Sequence, residues 1–184
     1  MSKNVLVPIA DGSEDIETAT IVDVLRRAGA TVTVASVGSP QVTMAHGLKL
    51  VADQVISECV DTSYDLIALP GGMPGAEHLR DSKELAEMLK RQQQDGKLYA
   101  AICASPAVVL NHHGLLTERK ATAYPGFAEK LENTEAIDSR VVVDGNCITS
   151  RGPGTAMEFA LKLVEILYGE QKARDIAQSM LVNW

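Results

Sequence analysis

Apolar positions along the chain follow two alternating rhythms. Short unbroken runs at Val5 to Ala10, Asp65 to Pro70 and Leu98 to Ile102 read as strands covered on both faces. Thr31 to Val37 alternates threonine with valine or alanine and adds another strand. Between these runs the apolar residues take helical spacing. The first such stretch carries Ile16, Ala19, Ile21, Val24, Leu25 and Ala28, with Ser13 as its cap and Gly29 at its end. A second starts at Ser82, turns Leu85, Met88 and Leu89 inward and stops near Asp95-Gly96. Ser105-Pro106 opens a short helix through Leu110, because proline is tolerated in a first turn. Met157, Ala160, Leu161, Val164 and Leu167 mark one side of a strong amphipathic helix, and a last helix spans about Gln171 to Met180.

Two hairpins complete the pattern, one over Gln41 to Ala52 turned near His46-Gly47, the other over Val141 to Thr149 turned at Asp144-Gly145. Pro8 counts against a central strand, since it brings no N–H to a ladder. No linker, repeat or low-complexity segment interrupts the β–α alternation. It predicts one three-layer α/β domain over residues 1–184 with a mainly parallel central sheet. In such a sheet, chemistry collects where strands end and helices begin.

Composition narrows the functional classes. The 46% hydrophobic and 22% charged content excludes a disordered chain. With 24 acidic against 17 basic residues, the net charge of −7 gives no long-range attraction to phosphate backbones. Only 4% of residues are aromatic, too few for a base-stacking platform, so no nucleic-acid partner is expected. No apolar run nears the roughly 20 residues that span a bilayer, and the N-terminus lacks a signal peptide's apolar region. A cytoplasmic protein without a membrane partner is expected. Cys59, Cys103 and Cys147 form no C-x-x-C pair, so reduced thiols are expected rather than a zinc site or a dithiol couple. His112 and His113 are adjacent and point different ways, and His46 and His78 fall in expected loops. No metal site is expected.

Three strand ends stand out: Asp11 to Glu17, Gly71-Gly72-Met73-Pro74-Gly75, and Ala101-Ile102-Cys103-Ala104-Ser105-Pro106. The last has the form of a nucleophile elbow. A sharp strand-to-helix turn lifts the central side chain and needs small residues two positions away on either side, here Ala101 and Ser105. A helix start behind Cys103 favours thiolate and would lower the thiol pKa. The other reading of Cys103 is an inert buried thiol. Glu17, one turn into the first helix, is the partner candidate. Burial beside a negative sulfur would keep its carboxyl protonated, ready to donate to sulfur and to move protons. Alternatively, Glu14, Asp15 and Glu17 merely favour the positive end of a helix. Gly71-Gly72 could offer amides to an oxyanion or could be an ordinary turn. Neither G-x-G-x-x-G nor a P-loop is present. Arg151 with Gly152-Pro153-Gly154-Thr155 could hold an anion at a helix start or act only as turn and cap.

Four segments, Gly12 to Thr18, Leu69-Pro70-Gly71-Gly72 with Gly75-Ala76, Ala100 to Ala104, and Thr149 to Thr155, together resemble the ThiJ/PfpI superfamily. The resemblance is closest to the branch of the parkinsonism-associated deglycase and bacterial YajL, and it runs in order over nearly the whole chain. It implies a flavodoxin-like three-layer sandwich, usually a homodimer. It also implies a nucleophile at Cys103, a protonated partner at Glu17, and oxyanion amides at Gly72 and Ala104. The implied activity is that of a cofactor-independent glyoxalase or deglycase. Its substrates would be methylglyoxal and the glyoxal adducts of protein or nucleotide amines, released as lactate or glycolate. The implied alternative is a peroxide-responsive sensor or chaperone whose cysteine oxidises to sulfinate without significant turnover. This chain departs from many relatives at Tyr124, where they carry a histidine, so a Cys–His dyad is unsupported and proton transfer rests on Glu17. It also carries Met44 where some relatives have a second oxidisable cysteine. Ile16, Ile21 and Val24 spread too broadly around the first helix for a single core stripe, which suggests a dimer interface or a helix buried within the monomer.

Overall fold

The unbroken apolar runs occupy the centre of the sheet because helices cover both of its faces. Residues 2–184 are described by a computed structural model. In chain order its strands are β1 (Asn4–Ile9), β2 (Thr31–Ser36), β3 (Gln41–Thr43), β4 (Lys49–Val51), β5 (Gln54–Val55), β6 (Leu66–Leu69), β7 (Leu98–Ile102), β8 (Val141–Asp144) and β9 (Cys147–Ser150). The helices are α1 (Asp15–Ala28), α2 (Gly75–Asp81), α3 (Lys83–Gln94), α4 (Pro125–Ala128), α5 (Ala156–Tyr168) and α6 (Glu170–Ser179). A π-helical stretch covers Pro106–Asn111, and single 3-10 turns lie at Ile56–Glu58 and Pro153–Thr155.

Seven strands form one sheet in the order β5-β2-β1-β6-β7-β9-β8, and every pair is parallel except the β8–β9 hairpin at the edge. Strand β3 pairs with β4 in a separate two-stranded hairpin. Side chains alternate across β1: Val5, Val7 and Ile9 join Ile21, Val24 and Leu25 of α1 and Phe159 of α5 on one face. Leu6 joins Leu79 of α2 and Leu85, Met88 and Leu89 of α3 on the other. Burying each large apolar side chain contributes about 1.5–3 kcal/mol. The result is a flavodoxin-like three-layer α/β sandwich.

Several local expectations are corrected. Pro8 does lie in a central strand; the paired stretch with β6 covers Val5 and Leu6, so the proline falls beyond it. Ser13 does not cap α1. Its Oγ accepts from Ala10 N–H at 3.0 Å, and Glu14 is the cap, accepting from Glu17 N–H at 2.7 Å. Ser82 caps α3 as expected, accepting from Leu85 N–H at 3.3 Å. His78 lies in α2 rather than in a loop, and the short elements β5, α2 and α4 were not anticipated. The stretch after Ser105 is π-helical. Of the apolar positions on α1, Ile21 and Val24 are fully buried inside this chain, whereas Ile16 is 58% exposed. Among the described residues, no helix is long and apolar enough to cross a membrane.

Candidate functional site

The segments following β1, β6 and β7 converge at the carboxyl end of the sheet. Chain connections leave β1 towards β2 on one side and β6 lies on the other, so this is the switch point where open α/β sheets form clefts.

Cys103 follows β7 directly with φ of 66°. An L-residue in that left-handed region costs about 1–2 kcal/mol, so surrounding bonds must hold it there. Cys103 N–H donates to Ser150 O at 3.0 Å, and Cys103 O accepts from Tyr124 N–H at 2.8 Å. Ser105 Oγ donates to Pro70 O at 2.5 Å and ties the elbow to the loop after β6. That loop passes so close that only glycine fits. A Cβ added at Gly71 would lie 2.5 Å from Cys103 Cβ. Gly72 has φ of +86°, and a Cβ there would lie 2.5 Å from both Glu14 N and Gly12 O.

Glu17 is fully buried in the first turn of α1. Its Oε2 accepts from Gly71 N–H at 2.7 Å. Oε1 is buried without a hydrogen-bond partner, and the carboxyl is an electrostatic neighbour of the Cys103 thiol. Glu14 braces the pair, since its N–H donates to Gly71 O at 2.9 Å while its side chain caps α1. Gly72 and Ala104 amides face the Cys103 sulfur. Cys103, Glu17, Gly72 and Ala104 therefore come together from three separate strand ends.

Burial lifts the Glu17 carboxyl from 4.5 to about 7, helped by the nearby Glu14 charge and opposed by the Gly71 amide. Burial, and after it the Glu17 charge, pushes the Cys103 thiol up to about 12, while the Gly72 and Ala104 amides pull it down. The expectation of a thiol lowered by a helix start is thus corrected: desolvation outweighs the favourable dipoles. The two groups titrate against each other, since each raises the cost of charge on its neighbour. Protonating Glu17 removes the carboxylate charge that opposes a thiolate at Cys103.

The sequence reading missed Gly71 as the anchor of the Glu17 carboxyl; its amide is committed there and is not free for an oxyanion. Ser105 and Glu14 were also missed, and no local pattern distinguishes their bonds from ordinary caps. Cys59 and Cys147 are free and buried away from this site. Met44 is a core residue, 3% exposed. Tyr124 is half-exposed and borders a cleft beside the elbow with Arg140, Arg151 and Gly152. Among the described residues, no group of three or more His, Cys, Asp or Glu side chains is placed to hold a metal ion.

A flavodoxin-like sheet with a cysteine at a positive-φ elbow beside a buried glutamate defines the class of α/β fold. Residues 3–166 match the DJ-1/PfpI family, and the chain belongs to it. It is 52% identical over 179 residues to protein DJ-1 homolog B of Arabidopsis thaliana, covering 97% of this chain and 41% of the relative. The chain spans less than half the length of that protein and of its paralogue, DJ-1 homolog A. It is 37% identical to the glutathione-independent glyoxalase DJR-1.2 of Caenorhabditis elegans, covering 96% of this chain and 94% of the relative. A solved structure of oxidized Toxoplasma gondii DJ-1 superposes with a TM-score of 0.97 at 50% identity, with 100% of both chains covered.

Proposed function

We propose that the protein is a cofactor-independent glyoxalase and deglycase, with Cys103 as nucleophile, Glu17 as proton carrier and the Gly72 and Ala104 amides as oxyanion donors. The observation that carries this reading is the buried Glu17 Oε1, without another partner, beside a thiol held at a positive-φ elbow. The nematode relative named as a glyoxalase supports it. Cys103 sulfur attacks the aldehyde carbon of methylglyoxal as its proton passes to Glu17. The two amides stabilise the resulting alkoxide, which takes up a proton to become a hemithioacetal. Glu17 then moves the carbon-bound proton from the former aldehyde carbon to the neighbouring carbonyl carbon through an enediol, giving a lactoyl thioester. Water cleaves the thioester and releases lactate and the thiol. Methylglyoxal and water are consumed, and no electrons leave the substrate. A hemiaminal on an amine enters the same sequence once the C–N bond breaks. In a coupled lactate assay, Cys103→Ser should abolish product and Glu17→Gln should reduce it severely; near-normal turnover by the serine variant would rule the mechanism out.

The same pair supports a second reading, favoured by the likeness to an oxidized Toxoplasma relative. Two equivalents of peroxide would oxidise Cys103 to a sulfinate and release two waters, with protonated Glu17 donating to the sulfinate. Intact mass after mild peroxide, run beside the lactate assay, separates the readings. Gain of two oxygens with negligible lactate favours the sensor.

A homodimer is part of the proposal. Ile16, Leu48 and Val51 are 58%, 51% and 70% exposed on α1 and the adjoining β3–β4 hairpin. Asp15 joins these elements by accepting from His46 and Leu48 N–H. Sedimentation of a 19.7 kDa species at micromolar concentration would refute it.

A further inference from the structure

The cleft beside Cys103, walled by Tyr124 and rimmed by Arg140 and Arg151, has no part in the steps above. It is fixed to the elbow by the cysteine's own backbone, through Ser150 O on one side and Tyr124 N–H on the other. Arg151 is the residue after Ser150, so that bond holds its backbone next to the elbow. The Tyr124 ring lies against Gly152, where an added Cβ would stand 3.3 Å from the ring. Glycine at 152 therefore lets the aromatic wall stand close to the arginine.

The guanidinium of Arg151 is under-used. It donates one long bond, 3.3 Å, to Asp138 O, and the Asp138 carboxylate is 3.8 Å away and 94% exposed, where water screens it. Arg140 is more fully engaged, with Glu158 at 2.6 Å and Gly154 O at 2.9 Å. The start of the 13-residue helix α5, just past Thr155, adds positive potential at the same edge. Free guanidinium donors, a flat aromatic wall and a helix start thus face one cavity of about 240 Å³. That is more room than a three-carbon aldehyde fills.

We propose that this cleft binds an oxyanion, carboxylate or phosphate, on the molecule that presents its aldehyde to Cys103, with Arg151 as the specificity residue. The inference rests on the glyoxalase and deglycase reading for what reaches the sulfur. Binding can still be tested without turnover, so the two stand or fall separately.

The experiment is calorimetric titration of the Cys103→Ser protein with matched pairs of carriers. One pair is guanosine 5′-monophosphate and guanosine; the other is N-acetylalanine and its neutral amide. In at least one pair the anionic member should bind about tenfold tighter than its neutral twin, the factor expected of a single charge-assisted bond. Added salt should erode that preference. A preference in the first pair alone identifies a phosphate carrier, in the second alone a carboxylate carrier, and in both an unselective oxyanion site. Arg151→Gln in the same background should remove it. Equal binding within both pairs overturns the proposal, as does a preference that survives Arg151→Gln. Should that variant fold poorly, the salt dependence measured on the Arg151-containing protein decides: a preference indifferent to salt is not electrostatic and overturns the assignment. Loss of lactate production in the wild type would sink the catalytic reading alone.

Discussion

Replacing Gly71 with alanine tests whether the contact between two strand-end loops makes the site. The added methyl would stand 2.5 Å from Cys103 Cβ, 2.9 Å from Ile102 O and 3.0 Å from Ala104 N. Ordinary contact begins near 3.4 Å, so the loop or the elbow must yield by nearly an ångström, and two of the three atoms met are rigid backbone. Such overpacking costs about 1–3 kcal/mol of stability. The functional cost should be larger. Gly71 N–H also holds Glu17 Oε2 at 2.7 Å, so any retreat of the loop pulls the carboxyl away from the thiol. A displacement of about 1 Å can cost about a hundredfold in rate. Lactate release from methylglyoxal and urea unfolding, measured on the same preparations, give both numbers. Gly126→Ala is the control, since nothing lies within 4 Å of a Cβ there. If Gly71→Ala keeps both wild-type turnover and wild-type stability, the close approach of the loops is not what aligns Glu17 with Cys103.

Other outcomes follow from burial and bonding. Glu17→Gln should be more stable than wild type at neutral pH. The native carboxyl is raised from 4.5 to about 7, so its contribution is fully present below 4.5 and is lost as pH rises through 7. The advantage of the glutamine should grow across that window to about 3 kcal/mol and then level off; denaturant midpoints that track wild type from acid to neutral pH would contradict it. Limited iodoacetamide should label Cys103, which keeps 9% exposure, ahead of Cys59 at 0% and Cys147 at 2%. Peptide mapping that finds either buried thiol modified first would show the burial pattern to be wrong. Ser105→Ala removes the bond to Pro70 O and leaves that carbonyl unpaired, with an expected loss of about 1–3 kcal/mol in thermal or chemical unfolding.

What the sequence made legible depended on how local the cause was. The runs at Val5, Leu66 and Leu98 identify central parallel strands because a strand covered on both faces has no polar side to show. The small residues around Cys103 identify the elbow because a tight turn excludes anything larger. Long-range bonds left no such mark. Ser13 reads as a cap, yet its hydroxyl is taken by Ala10 N–H, and Glu14, whose N–H is held by Gly71 O, caps the helix instead. Ile16 and Val24 belong to one helical pattern, but α5 covers one and leaves the other in solvent.

The sign of the thiol shift was the least legible quantity, and the reason is physical. A helix start and two amides are visible as sequence order, and both favour thiolate. Desolvation comes from side chains distant in sequence, and so does the carboxyl of Glu17, 86 positions before the cysteine. These two raise the thiol and win. A site of this kind does not store a permanent thiolate. It sets two buried acids side by side, with Gly71 N–H stabilising charge on one and the Gly72 and Ala104 amides stabilising it on the other. Reactivity then depends on which of them is charged when an electrophile arrives. Loop contacts set that balance, and they act on both acids at once because Gly71 touches both.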